Sequence, residues 1–285
     1  MNQNKWKYAM TQEKPQMSPW MLTANPTAPV SSTKSIDLAG ALVGFTPISL
    51  EELSAVALLN RIDTKYVMTV EQLLRNMPLL QQDYRILEVQ GQRLNHYRTL
   101  YFDTPDFNLF NMHVNGMGDR YKVRSREYLD SHLSYLEVKH KTRKDRTIKQ
   151  RICTEKVVDH MTADAEEWLD EVYPYESRDL EPKVWNTFTR VTLAAKSNCE
   201  RVTLDFNLVF SSDYKIIRLN HLAVAEVKLD GRGCTSPFTT LMRQMRVHPQ
   251  GFSKYCIGTS MLFEHVKKNN MKAQLLQIQR LTNGA

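Results

Sequence analysis

The 285-residue chain lacks much of what several function classes require. It has four cysteines, Cys153, Cys199, Cys234 and Cys256, and no two of them form a CxxC pair. That spacing argues against a disulfide framework or a zinc site and predicts reduced, mostly buried thiols in a cytoplasmic protein. Long apolar runs are missing too. The most apolar short stretch, 38–45, is far below the roughly 20 residues that cross a bilayer, so no membrane insertion is expected. Near the N-terminus polar and apolar residues alternate around Pro15 and Pro19, without the continuous apolar region of a secretory signal. Glycine is sparse, at 10 residues, and no GxGxxG, Walker A, HExxH or GxSxG occurs. Phosphate binding by a glycine loop is thereby excluded, and no nucleophile motif replaces it. None of the eight histidines has a metal-binding spacing with a third ligand nearby.

What is present is a globular composition, 42% hydrophobic and 24% charged, with a formal net charge of +7. A chain of this length and content can bury a proper core, which excludes disorder as its main state. Residues 1–44 are rich in Pro, Ser, Thr, Gln and Asn without periodicity and read as a flexible leader. The body is expected over 45–270, and a C-terminal helical tail over 271–285.

Along the body, Ser49 with Glu52 and Thr69 with Gln72 mark two helix starts, and a short strand, RIDTKYVMT, lies between them. Two strands flank Gly91 and are expected to form a hairpin. A helix over 105–116 precedes a run of strands that is broken by one helix near 163–173. The last stretch is helical over 236–245 and again over 260–281. About eight mostly antiparallel strands with accessory helices predict an α+β fold, and a closed barrel would remove the exposed edges.

The charge is concentrated. Between Gly118 and Ile152 there are 11 basic and 5 acidic residues, six of the chain's seven excess charges. Alternate residues of a strand share a face, so Arg120, Lys122, Arg124 and Arg126 form one row. Tyr135, Glu137, Lys139 and Lys141 form a row on the next strand, and Thr147, Lys149 and Arg151 on the third. Like charges side by side are destabilising, so an anion is expected to offset them. Glu137 and Glu226 each sit in a Glu-Val-Lys triplet, with carboxylate and ammonium in phase. Ion pairing alone would explain the triplets. So would a polyphosphate site in which cations hold phosphate oxygens and a carboxylate holds Mg²⁺ or Mn²⁺ between them. Nucleic acid fits less well, because Tyr121 lies on the face opposite the cations.

These residues carry a resemblance. RIDTKY, YFDTPDFNLF, YKVRSREY, YLEVKHKTRKDRTIKQRI, RVTLDFN, AEVKLDG and GFSKYCIG occur in this order, and the series resembles the VTC domain. That is the polyphosphate polymerase domain of the vacuolar transporter chaperone type, within the CYTH-like triphosphate tunnel metalloenzymes. The resemblance covers roughly 47–265 and implies an eight-stranded antiparallel β tunnel barrel with helices packed outside. It implies ATP as phosphoryl donor, inorganic polyphosphate as product, and Mn²⁺ or Mg²⁺ as cofactor. By position, Lys65, Arg124, Arg126, Glu226 and Lys254 are the implied catalytic residues, with Glu226 as metal ligand. Lys139, Lys149, Arg190, Arg201, Lys228 and Ser253 are implied phosphate-binding residues. By phase, Arg98, Arg120 and Arg151 are expected in the same wall, and Glu137 beside the metal.

The sequence departs from the wider pattern at its first strand, where ExExK is replaced by Arg61, Asp63 and Lys65. One metal-binding glutamate is thus missing, which counts against two-metal hydrolysis. No regulatory SPX domain or membrane helix is present in this sequence, so export of a polymer would need a separate membrane partner. Three activities stay open: a polymerase, a triphosphatase in the same tunnel, and a non-catalytic polyphosphate sensor.

Overall fold

The computed structural model describes residues 37–55, 61–144, 146–197, 199–230 and 235–283. Most of the expected leader, 1–36, lies outside them. Its end does not, and Leu42 is buried in the core. The first elements are β1 (Thr46–Ile48), α1 (Leu50–Ala55), β2 (Arg61–Thr69), α2 (Val70–Leu80), β3 (Tyr84–Leu87), β4 (Asn95–Asp103) and α3 (Asn108–Val114). Next come β5 (Arg120–Tyr128), β6 (Leu133–Lys141), β7 (Thr147–Thr154) and α4 (Ala163–Val172). The chain continues through β8 (Glu181–Ala195), β9 (Glu200–Ser211), β10 (Ile216–Leu219) and β11 (Leu222–Asp230). It ends with α5 (Pro237–Gln244), α6 (Lys254–Leu262) and α7 (Lys272–Asn283).

Both predicted helix starts form, each closed by a capping box. Ser49 Oγ accepts from Glu52 N at 3.1 Å while Glu52 Oε2 accepts from Ser49 N at 2.9 Å. Thr69 and Gln72 make the same exchange at 3.1 and 3.2 Å, stopping β2 and starting α2.

All eleven strands join one sheet whose main path runs β2-β11-β9-β8-β4-β5-β6-β7. Every pairing along that path is antiparallel. The path holds eight strands, and β1, β3 and β10 at its margins bring the sheet to eleven, more than the eight expected. Among the described residues no β2–β7 pairing closes it. The free edge of β2 is instead met by the backbone of Gln250, which donates to the Lys65 carbonyl at 2.9 Å.

The expected β3–β4 hairpin is replaced by a different arrangement. Gln90 and Gly91, with φ of 50° and 77°, make a tight turn closed only by the Val89–Gln92 bridge. Beyond it the strands part, because the 15-residue β8 is long enough to take both on one edge. Tyr84–Ile86 pair with Leu193–Ala195, and Asn95 begins opposite Arg190. The two strands lie end to end.

The sheet's outer face is the apolar one. Tyr66, Met68, Val191, Leu193, Val202 and Leu204 pack beneath α2 and α5, while Leu100, Phe102, Val123, Leu136 and Val138 pack beneath α4. Helix α6 enters the inner side and is buried on nearly every residue, covering Val67, Leu208, Phe210 and Val224. A Cβ on Gly258 would lie 2.7 Å from Phe210, so glycine sets how closely α6 approaches the sheet. The helix predicted over 260–281 is broken: α6 ends at Leu262, Phe263 is extended (φ −109°, ψ 124°), and α7 begins at Lys272. Met271 and Ile278 are buried, so the described part of the tail packs on the body. Cys256 is buried, but Cys153 and Cys199 are exposed. Cys153 differs from expectation because β7 ends the strand path and has little packed on either face.

Candidate functional site

The register turns the charge rows into a chamber. Lys65 lies opposite Glu226, Asp205 opposite Arg190, Arg124 opposite Glu137, and Glu137 opposite Arg151. Lys139 on β6 lies six strand steps from Lys65 on β2 along the path. In a flat sheet that separation would be about 28 Å. Yet Gln250 donates to the Lys65 carbonyl on β2 while Ser253, only three residues on, accepts from Lys122 on β5, so the path curls until β2 and β5 face one interior. Register shifts in the β8–β9 and β4–β8 pairings, at Thr187/Thr189 and Tyr101/Phe102, give the strands local bends of the kind bulges supply.

Three carboxylates anchor the cations. Glu226 accepts from Lys228 Nζ at 2.8 Å and pairs with Lys65 Nζ at 2.9 Å. Asp205 accepts from Arg190 in bidentate fashion, at 2.6 and 2.8 Å, and also pairs with Lys254. Glu137 accepts from Arg124 Nε at 2.7 Å and pairs with Lys149. Burial acts to raise all three carboxyl pKa values, and the cations overcome it. Lys228 and Lys65 hold Glu226, and Arg190 and Lys254 hold Asp205, far below the usual range. Arg124, Arg126 and Lys149 bring Glu137 to about 2.

The remaining cations rest on uncharged groups. Arg126 donates to Thr99 Oγ1 at 3.2 Å, and its guanidinium lies over the rings of Tyr97 and Phe188. Those rings stack at 5.0 Å and also back Arg190. Lys254 lies 4.4 Å from the Phe188 centroid. Lys122 donates to Ser253 Oγ at 2.9 Å, and Ser253 in turn caps α6 by accepting from Cys256 N.

Lys139 differs from all of these. No hydrogen bond or ion pair engages its ammonium among the described residues, and its side chain is exposed. The surrounding protein still strips much of its hydration, and with the charge of Lys122 this pushes its pKa down to about 8. An ammonium so placed is a vacant donor for an anion.

The sequence model of the VTC domain matches residues 60–263, the whole stretch that supplies these side chains. This chain belongs to the VTC domain family. No curated protein matches it. Among solved structures it is similar to a Vibrio parahaemolyticus protein proposed as an adenylate cyclase, at 15% identity and TM-score 0.42, covering 70% of this chain and 98% of that one. A Bacillus halodurans protein with the same proposed activity gives 13% identity and TM-score 0.41, covering 68% and 94%. A Hippeastrum protein with a dominant triphosphatase activity gives 10% identity and TM-score 0.42, covering 72% and 98%. Likeness at that distance carries nothing about activity.

In this VTC domain the expected residues divide. Lys65, Arg124, Arg126, Lys139, Lys149, Arg190, Glu226, Lys228, Ser253 and Lys254 all meet in the chamber. Arg151 shares their face, over the Tyr135 ring at 4.4 Å, though it is solvent-exposed. Arg98 does not belong. Thr99 and Tyr101 face inward, so Arg98 faces out, where it pairs with Glu127 at 2.6 Å and lies over Trp185. Arg120 has the right phase but is held at the strand's end, donating to His113 Nδ1 at 3.1 Å and to the Met117 carbonyl. Arg201 likewise reaches the Leu53 carbonyl of α1 at 2.7 Å.

Glu137, expected beside the metal, has both neighbouring strands' cations on its carboxylate. Its side chain is 1% exposed and enclosed by cations, which is the setting of a buried counter-ion. Glu226 is 20% exposed and fits better as one carboxylate of an ion that takes its other ligands from phosphate and water. Among the described residues no three His, Cys, Asp or Glu side chains converge to hold a metal by themselves.

Asp205, Lys122, Tyr97 and Phe188 are chamber residues that the expected set lacks. Phase alone puts Lys122 in the row of Arg120 and Arg124, and Asp205 on the face of Arg201 and Thr203.

Proposed function

We propose that this VTC domain binds a nucleoside triphosphate, ATP, through its phosphates in the basic chamber. It transfers the terminal phosphoryl group to orthophosphate or to the end of a polyphosphate chain. The supporting observation is the vacant Lys139 ammonium on the face shared with Lys65, Lys122 and Arg124, a donor that a bound anion would engage. On this reading the curled sheet is a tunnel for a linear phosphate chain.

An oxygen of the acceptor phosphate attacks the γ-phosphorus in line, and the bond from that phosphorus to the β–γ bridging oxygen breaks, releasing ADP. Arg124, Arg126 and Arg190 stabilise charge that shifts during transfer, and aromatic or carboxylate backing keeps each in place. Lys65 and Lys254 orient donor and acceptor phosphates. Glu226 would hold Mn²⁺ or Mg²⁺, which when bound neutralises phosphate charge.

The carboxylates favour transfer to phosphate over transfer to water. Attack by water calls for a general base, and efficiency is greatest when its pKa lies near the working pH. Glu137, Glu226 and Asp205 are each fixed by two cations and are far more acidic than that. A phosphate acceptor brings an oxygen that is already ionised.

The test is incubation of pure protein with ATP and Mn²⁺ or Mg²⁺, staining a gel for polymer and measuring free phosphate. Polymer is the expected product. Free phosphate without polymer would establish the hydrolase instead, and tight polyphosphate binding without turnover would establish a sensor.

A further inference from the structure

One buried carboxylate of the inner face belongs to no ion pair among the described residues. Asp103, the last residue of β4, is fully buried. Its Oδ1 accepts from the backbone of Thr104 and of Leu109, each at 2.8 Å. Its Oδ2 accepts from Phe110 N at 2.8 Å and from the hydroxyl of Tyr255. Two of these donors, Leu109 and Phe110, tie β4 to α3, the Thr104 amide is local, and the hydroxyl of Tyr255 reaches across from α6.

Tyr255 follows Lys254 directly, is 1% exposed, and packs its ring against Tyr101 at 5.1 Å and edge-on to Phe110 at 6.4 Å. Helix α6 is buried on almost every residue, so ordinary packing does not single out one rotation about its axis. A directional bond does. Tyr255 to Asp103 makes that bond in the first turn, where Ser253 receives Lys122 and Lys254 meets Asp205.

We propose that Asp103 and Tyr255 are positioning residues, which set the rotation of α6 about its axis so that Lys254 presents its ammonium to a bound phosphate chain. This rests on the phosphate-binding reading of the chamber. A misplacement of about 1 Å can cost as much as 100-fold in rate, and Asp103 would prevent it without touching substrate.

The experiment measures tripolyphosphate affinity by calorimetry and ATP turnover for the wild type, Tyr255→Phe, Lys254→Ala and the double variant. Tyr255→Phe keeps the ring and removes only the hydroxyl, so it guards against the chance that Asp103→Asn fails to fold. Tyr255→Phe is expected to weaken tripolyphosphate about tenfold, within the loss that misplacement can cause. Placed on Lys254→Ala, it is expected to cause no further loss, because contacting residues that act through one another are not additive. A merely structural loosening would lower the melting temperature and add its full effect in both backgrounds. Additive losses, or unchanged affinity in folded Tyr255→Phe, would overturn the proposal. Failure of the wild type to bind tripolyphosphate would overturn the chamber reading itself, and the proposal with it.

Discussion

The Glu-Val-Lys triplets at 137–139 and 226–228 have the same sequence and the same strand phase, yet their glutamates occupy unlike surroundings. Glu137 is 1% exposed and bound to Arg124 and Lys149 from the two flanking strands, while its own triplet lysine, Lys139, has no partner among the described residues. Glu226 is 20% exposed and bound by its own triplet lysine, Lys228, and by Lys65. A triplet fixes only which face its residues share. The neighbouring strands decide whether the carboxylate becomes a counter-ion or an accessible ligand. On β6 both neighbours bring cations, so Glu137 is consumed and Lys139 is released. On β11 the neighbour β9 offers Thr203, and Glu226 keeps an open side.

Neutralising the open carboxylate is the largest expected effect. Glu226→Gln is expected to lower polymer formation about 100-fold, the scale of removing one preorganised electrostatic group, with a smaller loss of melting temperature than Glu137→Gln, because Lys65 and Lys228 lose their carboxylate in a more open setting. An unchanged rate would remove the distinction between the two glutamates.

Neutralising the enclosed one is expected to act on stability instead. Glu137→Gln leaves Arg124 facing Arg126 without its counter-ion, and breaking a buried pair in this way costs about 3 kcal/mol. Lys149 is 41% exposed, so solvent recovers part of its loss and the low end of the range applies. The midpoint of urea unfolding reads this directly, and an unmoved midpoint would mean that Glu137 is no buried anchor.

The two lysines invert the pattern. Lys139→Ala removes no internal contact and is expected to leave stability within about 0.5 kcal/mol, while weakening tripolyphosphate about tenfold through loss of one charge-assisted bond. Lys228→Ala is expected to lower stability as well, because Glu226 loses a partner. Equal stability losses for the two variants would contradict the contrast.

Much of this chamber follows from alternation alone. Arg124, Arg126, Lys139, Lys149 and Glu226 are in phase on regular strands, and that phase survives folding. Arg98 departs from expectation because β4 is ambiguous by itself: Arg98, Leu100 and Phe102 on one face balance Tyr97, Thr99 and Tyr101 on the other. Only the register of Thr99 with Arg126 decides which face is inner. The relation of β3 to β4 is set by the length of β8, a property of residues a hundred positions away. Arg120 and Arg201 have the right phase but stand at strand ends, where carbonyls of a turn and of α1 take their guanidinium groups. Phase reports the face of a residue and says nothing of its position along the strand.

The smallest expected effect concerns pH, and at Lys139 it moves affinity and stability with opposite signs. Its pKa of about 8 means that the folded, unliganded protein loses this proton well before an ordinary lysine, near 10.5, would. A bound polyanion favours the charged form, so tripolyphosphate affinity is expected to be level below pH 8 and to fall as pH rises through it. Stability runs the other way. Between about pH 8 and 10.5 the unfolded chain holds the proton that the folded chain has released, so this group adds to stability as pH rises. Lys122 and Lys254 are also shifted downward by burial and contribute with the same sign. Lys139→Arg isolates the one residue, because guanidinium stays charged throughout. Calorimetric affinity and melting temperature, followed from pH 6.5 to 9.5 in both proteins, are expected to diverge only above about pH 8. The wild type should lose affinity there relative to the variant while gaining stability relative to it. A wild type that tracks Lys139→Arg in both measurements would place the Lys139 ammonium in ordinary solvent, outside the chamber.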